Sequence, residues 1–170
     1  FNATIAASSL ERHPVNCDRP NYVGAMTNFH DLQMTSITGE QVDFDQFKGH
    51  LALVVNVASA EASRLDAGLR ALHNENDDVV VLGFPCNQFA NQEPGTDAEI
   101  LEFATSKFDV SFPMFSKIEV NGDGAAPLYQ MLKEAQPGEG ETSDVAWNFE
   151  KFLVDKAGNV VKRYAPPTTP

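Results

Sequence analysis

The stretch Leu51-Ala52-Leu53-Val54-Val55-Asn56-Val57-Ala58 is apolar almost throughout, and Val79-Val80-Val81-Leu82-Gly83-Phe84 repeats that character. Continuous apolar runs of this length are the mark of strands buried on both faces. Between them, Leu65, Leu69 and Leu72 recur at helical spacing, which predicts an amphipathic helix over about Ala62 to Asn74. Strand, helix and strand make a βαβ unit with a parallel pair. The chain therefore has an α/β core, and the remaining segments are placed around it.

Upstream, Phe29, Leu32, Met34 and Ile37 precede the turn Thr38-Gly39, and Val42 and Phe44 follow it, as in a β-hairpin. Downstream, Thr96-Asp97-Ala98-Glu99 is a capping-box pattern that should start a helix carrying Ile100, Leu101 and Phe103. Ala126 to Glu134 reads as another helix, and Gln136 to Ser143 as a loop rich in Gly and Glu. Phe149 to Val154 and Val160 to Tyr164 flank Lys156-Ala157-Gly158-Asn159, a hairpin turn. The order β-β-β-α-β-α-α-β-β suits a thioredoxin-like α/β fold: a central mixed β-sheet flanked by helices, with an N-terminal β-hairpin. Residues 1–25 read as an N-terminal extension and 26–170 as one domain, a length that buries a substantial core.

The 170 residues carry a net charge of −12, with only 12 Lys and Arg, so nucleic acid and anionic lipid are disfavoured as partners. No window approaches the ~18 apolar residues of a membrane span. The first residue is Phe1, and Asn2-Ala3-Thr4 is a glycosylation sequon. A processed N-terminus and the secretory pathway are expected on those grounds. Cys17 and Cys86 fit no zinc or Cys-X-X-Cys spacing. Either they form a disulfide tying the extension to the core, or Cys86 is a small buried apolar residue. His13, His30, His50 and His73 match no ligand or triad spacing and are expected on the surface or in loops.

Three segments carry the chemistry: Asn56-Val57-Ala58-Ser59-Ala60-Glu61-Ala62, Phe84-Pro85-Cys86-Asn87-Gln88-Phe89, and Trp147-Asn148-Phe149. With Phe112-Pro113-Met114-Phe115-Ser116-Lys117-Ile118, Pro127-Leu128-Tyr129, Lys151-Phe152-Leu153-Val154-Asp155 and Arg163-Tyr164-Ala165-Pro166, they resemble the glutathione peroxidase family from about Asn28 to Pro170. The resemblance implies a site in which a thiolate or selenolate is held by the side chains of Gln88, Trp147 and Asn148. It also implies that the redox residue belongs at position 61, where this chain has Glu. The family has Gly where Ala62 stands, and Thr where Arg64 stands; Arg64 adds a charge able to pair with Glu61. The short loop before Trp147 resembles that of the monomeric, phospholipid-hydroperoxide type, so a monomer is expected.

Neutral amide and indole donors aimed at one point favour an anion there. A carboxylate, with an ordinary pKa of about 4.3, satisfies that electrostatic demand. It does not satisfy the chemical one, since it forms neither a sulfenic acid nor a mixed disulfide. The expectation is a homologue that lacks peroxide reduction and acts as a binding or interaction protein for a small molecule or protein of unknown identity, without cofactor or metal. Two other readings stay open: a non-redox enzyme with Glu61 as acid or base, and a residual thiol peroxidase based on Cys86. Metal binding is weakly supported, because no His or Cys lies at ligand spacing from Glu61.

Overall fold

The structure, a computed structural model, describes residues 28–61, 65–138 and 142–169. Strands β1 (Gln33–Thr35) and β2 (Gln41–Asp43) form an antiparallel hairpin with Met34 opposite Val42. Strand β3 (Leu51–Val57), helix α1 (Leu65–Glu75) and strand β4 (Val79–Pro85) make the βαβ unit, with β3 and β4 parallel and Leu53 opposite Val81. Helices α2 (Asp97–Phe108) and α3 (Pro127–Ala135) follow, then strands β5 (Lys151–Val154) and β6 (Val160–Tyr164). The main sheet has the order β4-β3-β5-β6, in which β3–β5 and β5–β6 are antiparallel. This is the mixed, helix-flanked sheet of the thioredoxin-like fold.

Strand periodicity divides the core in two. Ala52 and Val54 of β3 face Phe44, Leu82, Phe115, Leu128 and Phe152. Leu53, Val55 and Val57 face Leu69, Val81, Ile100 and Phe112. Because β3 and β4 are covered on both faces, neither shows polar alternation. Each fully buried large side chain contributes roughly 1.5–3 kcal/mol, so this sheet is a rigid platform for what stands at its end.

Local chemistry sets the helix ends. Thr96 and Glu99 form the expected capping box on α2. Pro127 occupies the first turn of α3, where its missing N–H costs nothing. The β5–β6 turn is closed by Asp155, whose carboxylate accepts from the N–H groups of Ala157 and Asn159, with Gly158 at φ +88°.

Several boundaries differ from expectation. Phe29–Asp31 and Phe44–Phe47 are 3₁₀ turns flanking the hairpin, so its strands are only three residues each. Strand β5 begins at Lys151, not Phe149, because Phe149 has φ +62° and cannot continue a strand. His30 is not a surface residue: it is 7% exposed, packed edge-on to Phe29, and burial lowers its pKa. Cys17, His13 and the sequon at Asn2 lie outside the described residues. No helix among the described residues is long and apolar enough to cross a membrane.

Candidate active site

Strand β3 ends at Val57, and Ser59–Glu61 form a 3₁₀ turn beyond its carboxyl end. The Glu61 N–H bonds to the Ala58 carbonyl at 3.1 Å within that turn, and α1 is described from Leu65. Among the described residues, side chains hold the anion. Trp147 Nε1 donates to both carboxylate oxygens of Glu61 at 3.0 Å, and Asn148 Nδ2 lies 3.4 Å from Oε2. The indole donor is the main reason the Glu61 pKa falls below its ordinary value; partial burial opposes it, and the amides of Gln92 and Asn148 assist. Arg64 lies outside the described residues.

Trp147 is 40% exposed, which rules out core packing as its main role. Its ring rests on Phe89, with centroids 5.7 Å apart. Asn148 is 1% exposed and also donates to Gln92 Oε1 at 2.6 Å. Its own Oδ1 has no hydrogen-bond partner among the described residues. The site thus offers one charged acceptor and an exposed aromatic face, with the Asn148 amide buried beneath them.

Gln88 is placed differently from the other three. Its Oε1 accepts from the N–H groups of Val120 and Asn121 at 2.7 and 3.0 Å, and its Nε2 donates to the Asn121 carbonyl at 2.9 Å. Asn121 in turn exchanges hydrogen bonds with both backbone groups of Val145 at 2.8 Å. Gln88 therefore braces the Val120–Asn121 segment, through which Asn121 holds Val145, and the second amide acting on Glu61 is that of Gln92.

The Trp147 turn is stapled from several sides. Asn56, fully buried in β3, donates to the Trp147 carbonyl at 2.9 Å and accepts from the Glu150 N–H at 3.1 Å. The Asn56 carbonyl accepts from Phe149 N–H at 2.7 Å, which helps hold the left-handed φ of that residue. Glu150 pairs with Arg163 and accepts from Ala146 N–H at 2.7 Å. On the opposite side, the buried Glu93 carboxylate accepts from Ser59 N–H and Oγ, both at 2.7 Å, and fixes the turn carrying Glu61.

Sequence reasoning missed Asn56, Gln92 and Glu93. Asn56 could have been flagged as the one polar residue inside an apolar strand. Gln92 and Glu93 offered less, being two polar residues in a loop after two left-handed positions, Ala90 and Asn91.

One pH response follows. The depressed Glu61 pKa means that its carboxylate interactions are intact above the ordinary carboxylate range and are lost only as pH falls through the lower, folded-state value. Trp147 is the only tryptophan, so its emission reports this titration directly. The emission should change with a midpoint below the ordinary glutamate value, and Glu61→Gln should abolish the transition. A midpoint at or above that value would show that the indole does not stabilise the carboxylate.

Cys86 is a contrast. It is fully buried, and burial pushes its thiol pKa up, which disfavours the reactive thiolate.

Comparison with known proteins adds a lineage to this geometry. The family profile described as Glutathione peroxidase matches residues 29–133. A Citrus sinensis protein named probable phospholipid hydroperoxide glutathione peroxidase is 46% identical over 149 residues, covering 85% of this chain and 88% of that protein. A Saccharomyces cerevisiae glutathione peroxidase-like peroxiredoxin 2 is 44% identical over 147 residues, covering 85% and 91%. The crystal structure of T. cruzi GPX1 superposes with a TM-score of 0.70 at 35% identity, covering 84% of this chain and 89% of that one. A secreted Mycobacterium tuberculosis disulfide oxidoreductase, at 14% identity and a TM-score of 0.54, covering 82% and 86%, shares the fold alone.

Proposed function

The chain belongs to the glutathione peroxidase family, and from that premise we propose that Glu61 occupies the position of the redox residue and that peroxide reduction has been lost. The protein would act instead as a binding or interaction protein, as a monomer in the secretory pathway. The observation that supports this reading best is the indole of Trp147 donating to both oxygens of Glu61 at 3.0 Å. In the family resemblance that donor holds a thiolate or selenolate. Here a carboxylate takes its place, and a carboxylate oxygen cannot attack an O–O bond and then be reduced by a thiol.

Binding is favoured over acid–base catalysis by the same contacts. Donors that lower the Glu61 pKa weaken it as a base near neutral pH. A ligand carrying N–H or O–H donors would find the Glu61 carboxylate beside the exposed face of Trp147. Chemistry at Cys86 is disfavoured by its burial and raised pKa.

The test is coupled turnover of hydrogen peroxide and an organic hydroperoxide, with glutathione and with thioredoxin as reductant. The native chain should not exceed the rate without protein. Thiol-dependent turnover that saturates with hydroperoxide would refute the proposal.

A further inference from the structure

On the face of the sheet that packs against α1 lies a cavity of about 270 Å³. Leu51, Leu53 and Leu153 of the sheet and Leu72 of α1 supply its apolar wall, with Thr168 of the C-terminal segment beside them. One lining residue is out of character. Lys151 opens β5 and is 2% exposed. Its ammonium donates to the carbonyls of Phe149 at 2.7 Å and Pro166 at 3.1 Å. It forms no salt bridge among the described residues.

An ammonium has three N–H donors, and only two of these are used. Both acceptors are neutral, so the buried charge has no countercharge in contact, an arrangement that is expensive in an apolar setting. Consistently, burial lowers the Lys151 pKa to about 8, against the opposing pull of Glu150. A carboxylate entering the cavity would supply the missing acceptor and the missing charge in one group. The aliphatic wall would take an unbranched carbon tail. The volume is just below the roughly 300–1,000 Å³ typical of small-molecule sites. A space of that size takes a tail of medium length rather than a long one.

We propose that this cavity is a binding site for a medium-chain aliphatic carboxylate, with the carboxylate on Lys151 and the chain against Leu51, Leu53, Leu72 and Leu153. The site is separate from Glu61. It meets the Trp147 turn through the Phe149 carbonyl that Lys151 also holds.

Calorimetric titration with octanoate, and with octan-1-ol as the uncharged control, tests this at about pH 8, the pKa of Lys151. The ionisable side chains nearest Lys151 are Glu150, the residue before it, engaged with Arg163, and Tyr164 opposite it on β6. The cavity wall from β3, β4 and α1 is aliphatic. Octanoate should bind at least about tenfold tighter than octan-1-ol, as a charge-assisted hydrogen bond implies. Binding stabilises the charged lysine, so protons should be taken up with octanoate near pH 8, read by repeating the titration in buffers of different ionisation heat. Lys151→Met should remove both the preference and the proton uptake. If that variant does not fold, Leu72→Trp fills the cavity while keeping the lysine, and octanoate binding should be lost. Absence of octanoate binding, or equal affinity for the alcohol, would overturn the site. So would a preference that survives Lys151→Met, or binding that survives Leu72→Trp.

Discussion

Replacing Glu61 with cysteine is expected to confer thiol-dependent peroxidase turnover, on the order of 10²-fold or more above the native chain. The surroundings that hold the native carboxylate are those a thiolate needs. Trp147 Nε1 and Asn148 Nδ2 converge on the Glu61 side-chain oxygens. Pointed at a thiol, such neutral donors favour its ionised form, as the same donors lower the pKa of Glu61. The thiolate would attack the hydroperoxide O–O bond, gaining one oxygen as a sulfenic acid and releasing the alcohol. Two glutathione molecules would then return it to the thiol, with water and glutathione disulfide as products. Adding Trp147→Phe should reduce the acquired rate by about 10²-fold, the usual worth of one preorganised donor. A rate insensitive to Trp147 would mean that the new thiol acts without the site. Steady-state kinetics on the three proteins decides this.

The largest effect on stability is expected at the far side of the same turn. Arg163 and Glu150 form an ion pair with side chains only 10% and 5% exposed. Arg163 also donates to the carbonyls of Gln136, Ser143 and Asp144 at 3.2, 3.0 and 2.7 Å. Arg163→Ala leaves the Glu150 carboxylate buried without its cation and unties three backbone carbonyls. Breaking a buried pair from one side costs about 3–5 kcal/mol. For a chain of this length that lowers the midpoint of thermal unfolding by roughly 10 °C. Because Glu150 also accepts from Ala146 N–H, beside Trp147, the tryptophan emission should shift in the folded variant. A loss below about 1 kcal/mol in denaturant unfolding would place the pair among the weak surface kind.

The parts of the fold that were legible in the chain are those governed by burial and local rules. The runs in β3 and β4 read as interior strands because both faces are covered, and Thr96 with Glu99 announced the start of α2. What failed was decided by partners distant in sequence. Phe149 has strand-like composition, yet Asn56 and Lys151 hold its backbone groups in a left-handed turn. His30 gave no sign that it would be enclosed against the distant Gly158 turn.

The candidate site shows the same division. Glu61, Trp147 and Asn148 could be picked out by motif, and the structure brings them together. The motif also pointed to Gln88, but motif position does not determine a rotamer. The backbone N–H groups of Val120 and Asn121 offer its amide a better set of partners. The amide that does reach the site belongs to Gln92, brought there by the left-handed pair Ala90 and Asn91. Lys151 was equally hidden, since one lysine in a strand reads as solvated until β6 and the C-terminal segment are seen to close over it.

The most direct test of lost redox chemistry is a single-turnover measurement. The reduced native protein is mixed with a small excess of hydroperoxide, and peroxide loss and intact mass are followed together. Unchanged mass and unconsumed peroxide are expected, while the Glu61→Cys variant consumes one equivalent and gains one oxygen at the substituted position. Stoichiometric peroxide consumption by the native chain, with the oxygen mapped to Cys86, would contradict the central claim and move the chemistry to that buried thiol.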